Sequence, residues 1–227
     1  MPRFLLPPHA PTVLATATGD LVAVRRVYCV GRNYGAHARE MGGDPAREPP
    51  FFFSKPADAV TTAARIPFPP ATADLHHEVE LVAVVGRGGV DIPAAHALEH
   101  VFGYTVGIDL TRRDLQELAR KAGRPWDMAK GFDHSAPCGV VRPATEIGHP
   151  AAGAIALEVN GEGRQSGDLG AMIWPVADVI AQLSALVALE AGDLIFTGTP
   201  AGVGPVRRGD RLLARIEGVG RLEVVVG

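Results

Sequence analysis

The sequence has few of the features that mark secreted, membrane or nucleic-acid-binding proteins. Its two cysteines, Cys29 and Cys138, lie too far apart for a metal-binding pair and predict free thiols in a reducing cytoplasm. No apolar run approaches the roughly 20 residues of a membrane helix, and Pro7 and Pro8 interrupt the apolar N-terminus, which argues against a signal peptide. Acids and bases are interspersed at a formal net charge of -3. We therefore expect a cytoplasmic protein without membrane or nucleic-acid partners.

Glycine and proline are abundant, with 27 and 19 residues among 227. They are spread along the chain, which is typical of many short strands joined by tight turns. The chain is 47% hydrophobic and is long enough for one domain with a sizeable core. We expect an extended lead-in over residues 1–25 and a single domain over residues 26–227.

The apolar pattern predicts a β-rich α+β fold with a few short helices, rather than alternating strands and helices. Asn160-Gly161 between two β-prone segments predicts a hairpin. The main predicted strands are residues 27–30, 51–53, 79–85, 101–110, 154–160, 164–167, 194–197, 211–216 and 221–226. The predicted helices are residues 33–41 with Asn33 as N-cap, 93–99, 112–122 with Thr111 as N-cap, and 175–189.

Three acidic residues form a candidate metal site. Glu78 and Glu80 are two residues apart, which places both side chains on one face of a strand, and Asp109 ends another predicted strand. Two such glutamates repel each other unless a cation lies between them, and carboxylate oxygens suit Mg²⁺, Mn²⁺ or Ca²⁺. The same pattern also fits the solvent-exposed face of an edge strand. The neighbouring His76 and His77 are expected to support the strand or a ligand rather than to bind metal.

Other residues could supply chemistry around these carboxylates. His37 and Glu40 are three apart on a predicted helix, which fits either a general base with its orienting carboxylate or a surface pair. Lys55 ends an apolar strand, and Lys130 precedes a glycine, beside which a ligand can approach the backbone closely. Residues 197–204 form a Gly-rich loop without the lysine and spacing of a phosphate-binding loop, but its hydroxyls and amides could hold a carboxylate.

The chain resembles the fumarylacetoacetase family, in its short acylpyruvase-like branch. Six segments carry the resemblance between about residue 27 and residue 204, in the order VGRNYGAHAREMG, FFFSKPADAV, HHEVEL, GIDLTRRDLQ, WDMAKGFD and TGTPAGVG. The amino-acid sequence around FFFSKPADAV, TRRDLQ and GRPWDMAKGFD is most similar to that of branch members that hydrolyse fumarylpyruvate. The resemblance implies a mixed β-roll or sandwich of the family's C-terminal-domain type, a homodimer, and a small dicarboxylate or 2-oxo acid as substrate.

The resemblance also implies roles for particular residues. A Mg²⁺ or Mn²⁺ ion is expected, and the helix that carries the water-activating pair acts as a lid in this family. The implied roles are metal ligands at Glu78, Glu80 and Asp109, water activation at His37 and Glu40, an active-site lysine at Lys130, and substrate contacts at Lys55, Arg113, Gln116 and Thr199.

The implied reaction is hydrolysis of a carbon–carbon bond in a 2,4-dioxo acid, above all fumarylpyruvate in gentisate-type aromatic catabolism. Water activated by His37 would attack the C4 carbonyl, and Lys130 would stabilise the oxyanion. A distal carboxylate would need a further cation from Arg32, Arg112 or Lys55, among which the sequence does not choose. Oxaloacetate decarboxylation, hydration or isomerisation of a 2-oxo diacid, and a non-catalytic metal-binding module are the alternatives.

Overall fold

The computed structural model describes residues 4–35 and 49–227. Short strands dominate these ranges, as the spread of glycine and proline predicts. The strands are β1 (Val13–Ala15), β2 (Leu21–Ala23), β3 (Val27–Gly31), β4 (Phe51–Lys55), β5 (Val60–Thr61), β6 (Arg65–Ile66), β7 (Leu75–His77), β8 (Val79–Val85), β9 (Val101–Ile108), β10 (Thr111–Arg112), β11 (Ala136–Pro137), β12 (Arg142–Pro143), β13 (Ala154–Val159), β14 (Glu162–Asp168), β15 (Leu194–Phe196), β16 (Gly204–Val206), β17 (Arg211–Ile216) and β18 (Gly220–Val226). The helices are α1 (Ala94–Ala97), α2 (Arg113–Lys121), α3 (Asp127–Lys130), α4 (Ala144–Ile147) and α5 (Val176–Ser184).

A mixed six-stranded sheet, in the order β12-β9-β8-β15-β3-β4, forms the centre of the molecule. Within it β3 and β15 run parallel, and the other neighbours are antiparallel. Every residue of β8 is buried. A strand covered on both faces needs apolar residues without alternation, which explains the nearly continuous apolar run of β8 apart from Glu80.

A five-stranded sheet, in the order β14-β13-β17-β18-β6, packs against the first. Its strands β13 and β17 alternate along their whole length between buried residues and residues that are partly or fully exposed. The inward residues of β17 and β18 join those of β8 and β9 in one large apolar cluster. The result is a β-sandwich with a few short helices, so the predicted β-rich α+β class is confirmed.

A second, smaller apolar cluster contains both cysteines. Cys29 and Cys138 are free and fully buried within it. Leu14 from the β1–β2 hairpin is also fully buried there, so the predicted lead-in forms a hairpin that packs on the larger body. The division at residue 25 stays a prediction.

Two predicted helices have different boundaries in the structure. Thr111 is not an N-cap, because it pairs with His76 in the small sheet β10-β7-β16, and α2 begins only at Arg113. The helix predicted over residues 175–189 ends at Ser184, whose hydroxyl donates to Ala181 O and accepts from Ile92 N. The Asn160-Gly161 hairpin is confirmed, with positive φ at both residues.

Asn33 also differs from its predicted role. Its side-chain oxygen accepts from Trp174 N at 2.7 Å, and its amide donates to Thr197 O at 2.7 Å. The predicted N-cap therefore ties the end of β3 to two distant loops. Most of the helix predicted after it lies outside the described residues. None of the helices within residues 4–35 and 49–227 is long and apolar enough to cross a membrane.

Candidate active site

The three predicted metal ligands come together at the ends of neighbouring strands. β8 and β9 pair antiparallel with Glu80 opposite Gly107, and Asp109 N donates to Glu78 O at 2.8 Å. One side-chain oxygen from each of Glu78, Glu80 and Asp109 lies within 4.8 Å of the others. The residues are only 5%, 2% and 0% exposed, which excludes the alternative of a solvent-facing edge strand.

The charge of this cluster fits a hard divalent cation. Burial raises the pKa of the Glu80 carboxyl well above its usual range, and repulsion from Asp109 and Glu78 raises it further. Gly198 N donates to Glu80 Oε2 at 2.7 Å, and the ammonium of Lys130 also opposes the rise. Three buried carboxylates with facing oxygens are the donor set that Mg²⁺ or Mn²⁺ prefers. The residues present therefore fit the expected ion.

Three basic side chains already surround the carboxylates. Lys130 Nζ lies 2.9 Å from Glu78 Oε2 and 2.7 Å from Asp109 Oδ2. Burial lowers the pKa of Lys130, but the two carboxylates more than offset this effect, so its pKa is raised overall. Arg113 Nη2 donates to Glu78 Oε1 at 2.6 Å, and its Nη1 donates to Gln116 Oε1 at 2.5 Å. These contacts fix the orientation of Glu78.

Lys55 does not reach the substrate side of the cluster. Its ammonium, on a fully buried side chain, lies 2.8 Å from Asp109 Oδ1 and donates to Leu110 O and to Lys130 O. The ammonium is thus engaged by three protein oxygens, two through hydrogen bonds and one through an ion pair. The geometry therefore argues against the predicted substrate contact and makes Lys55 a support for Asp109.

Arg112, the other candidate for the distal carboxylate, also points elsewhere. Its guanidinium lies 4.4 Å from the centre of the Phe132 ring and donates to Met128 O at 3.2 Å. Burial lowers the pKa of Arg112, as expected for a guanidinium held against an apolar ring. The third candidate, Arg32, lines the cavity described next.

A small cavity of about 30 Å³ opens in front of the carboxylates. Most of the predicted site residues meet there. Its lining comprises Val30, Gly31, Arg32, Phe53, Glu78, Glu80, Arg113, Gln116, Trp126, Lys130 and Thr199. His37 and Glu40 lie outside the described residues, so their predicted role as a water-activating pair stays a prediction.

Gln165 of β14 is a site residue that the sequence analysis missed. Its carbonyl oxygen accepts from Val79 N and from His77 Nδ1, at 3.0 and 2.9 Å. Its amide donates to Thr199 Oγ1 at 2.8 Å and to Pro200 O at 2.9 Å. This buried side chain thus fixes both the peptide between Glu78 and Glu80 and the Gly-rich loop. The sequence feature that could have indicated Gln165 is a polar residue at an inward-facing position of a hairpin strand.

The same hydrogen bonds determine the state of His77. Because the Gln165 amide nitrogen donates to two oxygens, its carbonyl oxygen must face His77, so Nδ1 carries the proton. Burial also lowers the pKa of His77. A neutral imidazole that is held by Gln165 supports the strand, as predicted.

Fold and site together define a β-sandwich domain with a buried carboxylate metal centre. The sequence pattern of the fumarylacetoacetate (FAA) hydrolase C-terminal family matches residues 26–227, and the chain belongs to this family. The resemblance noted in the sequence is thereby confirmed.

Relatives of known structure or function are similar over most of the chain. A crystal structure of fumarylpyruvate hydrolase from Pseudomonas aeruginosa, in complex with Mn²⁺ and pyruvate, is 53% identical with a TM-score of 0.96, and the match covers 99% of this chain and 100% of that one. Fumarylpyruvate hydrolase from a Ralstonia species is 42% identical, over 81% of this chain and 96% of its own. The mitochondrial oxaloacetate tautomerase FAHD1 of Mus musculus is 40% identical, over 86% and 88%.

Proposed function

We propose that this protein is a metal-dependent hydrolase that cleaves the carbon–carbon bond of an acylpyruvate, with fumarylpyruvate as its substrate and fumarate and pyruvate as products. The observation that carries the proposal is the buried cluster of Glu78, Glu80 and Asp109 with Lys130 between two of its members. It lies in a chain 53% identical to a fumarylpyruvate hydrolase whose structure contains Mn²⁺ and pyruvate.

The carboxylates of Glu78, Glu80 and Asp109 would hold Mg²⁺ or Mn²⁺, which supplies Lewis-acid polarisation of substrate oxygens. Arg113 keeps Glu78 in place through the 2.6 Å hydrogen bond. The ammonium of Lys130 borders the cavity and stabilises negative charge on the C4 oxygen as water adds to that carbonyl. Collapse of this oxyanion breaks the C3–C4 bond, and the electron pair leaves on C3 as the enolate of pyruvate, which takes up a proton to give pyruvate.

The Gly-rich loop at Thr199 binds the carboxylate end of the substrate through its backbone amides in this proposal, because the proton of the Thr199 hydroxyl is already donated to a backbone oxygen. The Thr199 hydroxyl donates to Val79 O at 2.8 Å and accepts from Gln165, so its position in the cavity wall is fixed. Gly198 has a φ of 95°, a conformation that favours glycine, and a Cβ there would lie 2.7 Å from Asn33 Cβ. The loop can therefore approach the site closely and present backbone amides.

His37, oriented by Glu40, is proposed as the base that takes a proton from the attacking water. This assignment rests on their spacing and on the family resemblance. It distinguishes hydrolysis from decarboxylation of oxaloacetate, which needs no activated water.

The second candidate is an isomerase-type reaction on oxaloacetate. The observation in its favour is the 40% identity to the mitochondrial oxaloacetate tautomerase FAHD1 of Mus musculus. Tautomerisation, decarboxylation and acylpyruvate cleavage all place a 2-oxo acid at the same carboxylates, so the site by itself does not separate these three reactions.

We further propose that the protein is a cytoplasmic homodimer.

The test is a substrate panel with purified protein and Mn²⁺ or Mg²⁺. We expect pyruvate release from fumarylpyruvate faster than from acetylpyruvate, little decarboxylation of oxaloacetate, and loss of turnover with a chelator that added Mn²⁺ reverses. His37→Ala should lower kcat much more than it raises KM. Tautomerisation of oxaloacetate without cleavage of either acylpyruvate would contradict the hydrolase proposal. A change in KM alone would make His37 a binding residue.

A further inference from the structure

An aromatic groove lies next to the active-site cavity. Its volume is about 350 Å³. One wall is residues 51–54 of β4, and the other is residues 124–127, which run from the α2–α3 loop to the first residue of α3. Phe53 and Trp126 line both the groove and the smaller cavity. The two spaces therefore adjoin at these two rings.

Between Lys130 and the groove, neighbouring aromatic rings lie about 5–6 Å apart. Lys130 Nζ lies 5.1 Å from the centre of the Phe53 ring, and that centre lies 5.9 Å from the Trp126 ring. Phe51 meets Trp126 edge-on at 5.0 Å. A group that passes Phe53 is thus already in the groove, between flat apolar surfaces that suit a planar unsaturated chain.

The size of the inner cavity makes such an extension necessary. About 30 Å³ beside the carboxylates is roughly a tenth of the 300 Å³ at which ordinary small-molecule pockets begin. A substrate whose pyruvoyl end lies at the carboxylates therefore has to extend its acyl end toward Phe53 and the groove. The groove is the larger space that adjoins this point.

One arginine in the groove is available for an anion. Arg124 is exposed, and its guanidinium makes no ion pair or hydrogen bond within the described ranges 4–35 and 49–227. Lys55 and Arg112, by contrast, are held by protein oxygens. Asp127 lines the same groove and carries the opposite charge.

On the basis of the proposed hydrolase function, we propose that this groove is the subsite for the acyl end of a substrate with a terminal carboxylate, and that Arg124 binds that carboxylate. In fumarylpyruvate three carbon–carbon bonds of about 1.5 Å separate the carbonyl carbon under attack from the distal carboxyl carbon, a span of roughly 4 Å. The centre of the Phe53 ring lies 5.1 Å from Lys130 Nζ, so this span brings the distal carboxylate to the boundary between the cavity and the groove, where the long, exposed side chain of Arg124 lines the groove.

The experiment compares substrates with and without the distal carboxylate. Steady-state kinetics are measured with fumarylpyruvate and acetylpyruvate for the wild-type protein and for Arg124→Met. We expect kcat/KM for fumarylpyruvate to fall at least tenfold and that for acetylpyruvate to change less than twofold. Arg124→Lys should recover part of the loss, since it keeps the charge but not the planar guanidinium.

Two further variants control for charge. Lys121→Met removes an exposed cation that lines neither space and should leave both substrates within twofold of wild type. Asp127→Asn removes the opposing charge from the groove and should raise kcat/KM for fumarylpyruvate without changing that for acetylpyruvate. Equal losses on both substrates for Arg124→Met, or no loss on fumarylpyruvate, would overturn the assignment.

A binding measurement separates this inference from the proposed function. Fumarate is titrated into a Trp174→Phe background while the fluorescence of Trp126 is followed. We expect quenching that Arg124→Met weakens at least tenfold and that the monoanion crotonate does not reproduce. If the wild-type protein cleaves neither acylpyruvate but shows this fumarate response, the hydrolase proposal fails and the groove assignment stands. If it cleaves both and neither assay depends on Arg124, the groove assignment fails and the hydrolase proposal stands.

Discussion

At the scale of single residues, the site depends on side chains that hold other side chains. Glu78 is fixed by Arg113 and Lys130, while Asp109 is fixed by Lys55 and Lys130. An opposite charge within hydrogen-bond distance stabilises the ionised form of a buried carboxylate. The three basic residues therefore hold the oxygens of Glu78 and Asp109 in place and offset part of their charge.

Among the uncharged side chains that hold the site in place, Gln165 is predicted to be the one whose substitution destabilises the protein most. Gln165→Leu leaves Val79 N, His77 Nδ1 and Pro200 O buried without this partner, so we expect a loss of about 2–4 kcal/mol in the free energy of unfolding. Urea unfolding followed by circular dichroism measures this loss.

The control for this prediction is Gln182→Leu, an exposed glutamine on α5, which should change stability by less than about 0.5 kcal/mol. Gln165→Leu should also weaken Mn²⁺ binding, because the Val79 peptide joins Glu78 to Glu80. Wild-type stability and Mn²⁺ affinity in Gln165→Leu would show that the hydrogen bonds to Gln165 do not position the site.

At the scale of elements, the pairing of β8 with β9 assembles the cluster. Glu80 lies directly opposite Gly107, and Asp109 follows two residues later. The apolar pattern predicts both strands, but residues 86–100 separate them, and their pairing depends on contacts that no local pattern contains. The two strands pack closely at this point because residue 107 is a glycine, which has no side chain.

Gly107→Ala tests this packing. A Cβ at this position would lie 2.6 Å from Phe196 Cε1 and 2.6 Å from Val82 Cγ2, both in fully buried side chains. The strands would have to move apart, so we expect a loss of about 1–3 kcal/mol in stability together with weaker metal binding. Chemical unfolding and calorimetric titration with Mn²⁺ measure the two effects.

The matched control is Gly163→Ala in β14, where an added Cβ meets nothing within 4 Å. It should leave metal binding unchanged and should not lower stability. If both glycine variants behave alike, close packing at Gly107 has no special role in the site.

At the scale of the whole molecule, metal binding and stability are coupled. An ion that binds only the folded state adds about 2.7 kcal/mol at a concentration of 100 times Kd. For a chain of this size each kcal/mol raises Tm by roughly 2–4 °C, so saturating Mn²⁺ should raise Tm by about 5–10 °C. Differential scanning calorimetry with and without Mn²⁺ measures the shift.

Glu80→Ala should remain folded but lose this shift together with metal-dependent turnover. Glu162→Ala removes an exposed carboxylate outside the cluster and should keep the full response to Mn²⁺. An unchanged Mn²⁺ shift in Glu80→Ala, or full activity of that variant without added metal, would contradict the assignment of the metal site.

The sequence alone determined the β-rich class, the main strands, the Asn160-Gly161 hairpin and the residue types of the site. These follow from local periodicity and from turn chemistry, which depend on neighbours in the chain. Glu78, Glu80 and Asp109 were identified as candidates in the same way, although the spacing alone left a surface strand possible.

Only the tertiary structure decided which residues face the cavity and which support it. Lys55 and Arg112 were predicted or considered as substrate contacts, yet one ion-pairs with Asp109 and the other stacks on Phe132. Strand pairing and loop packing bring Gln165 and Trp126 to the site from distant parts of the chain, and no local pattern contains those contacts. The direction of a side chain depends on that packing, whereas its chemistry is already given by the sequence.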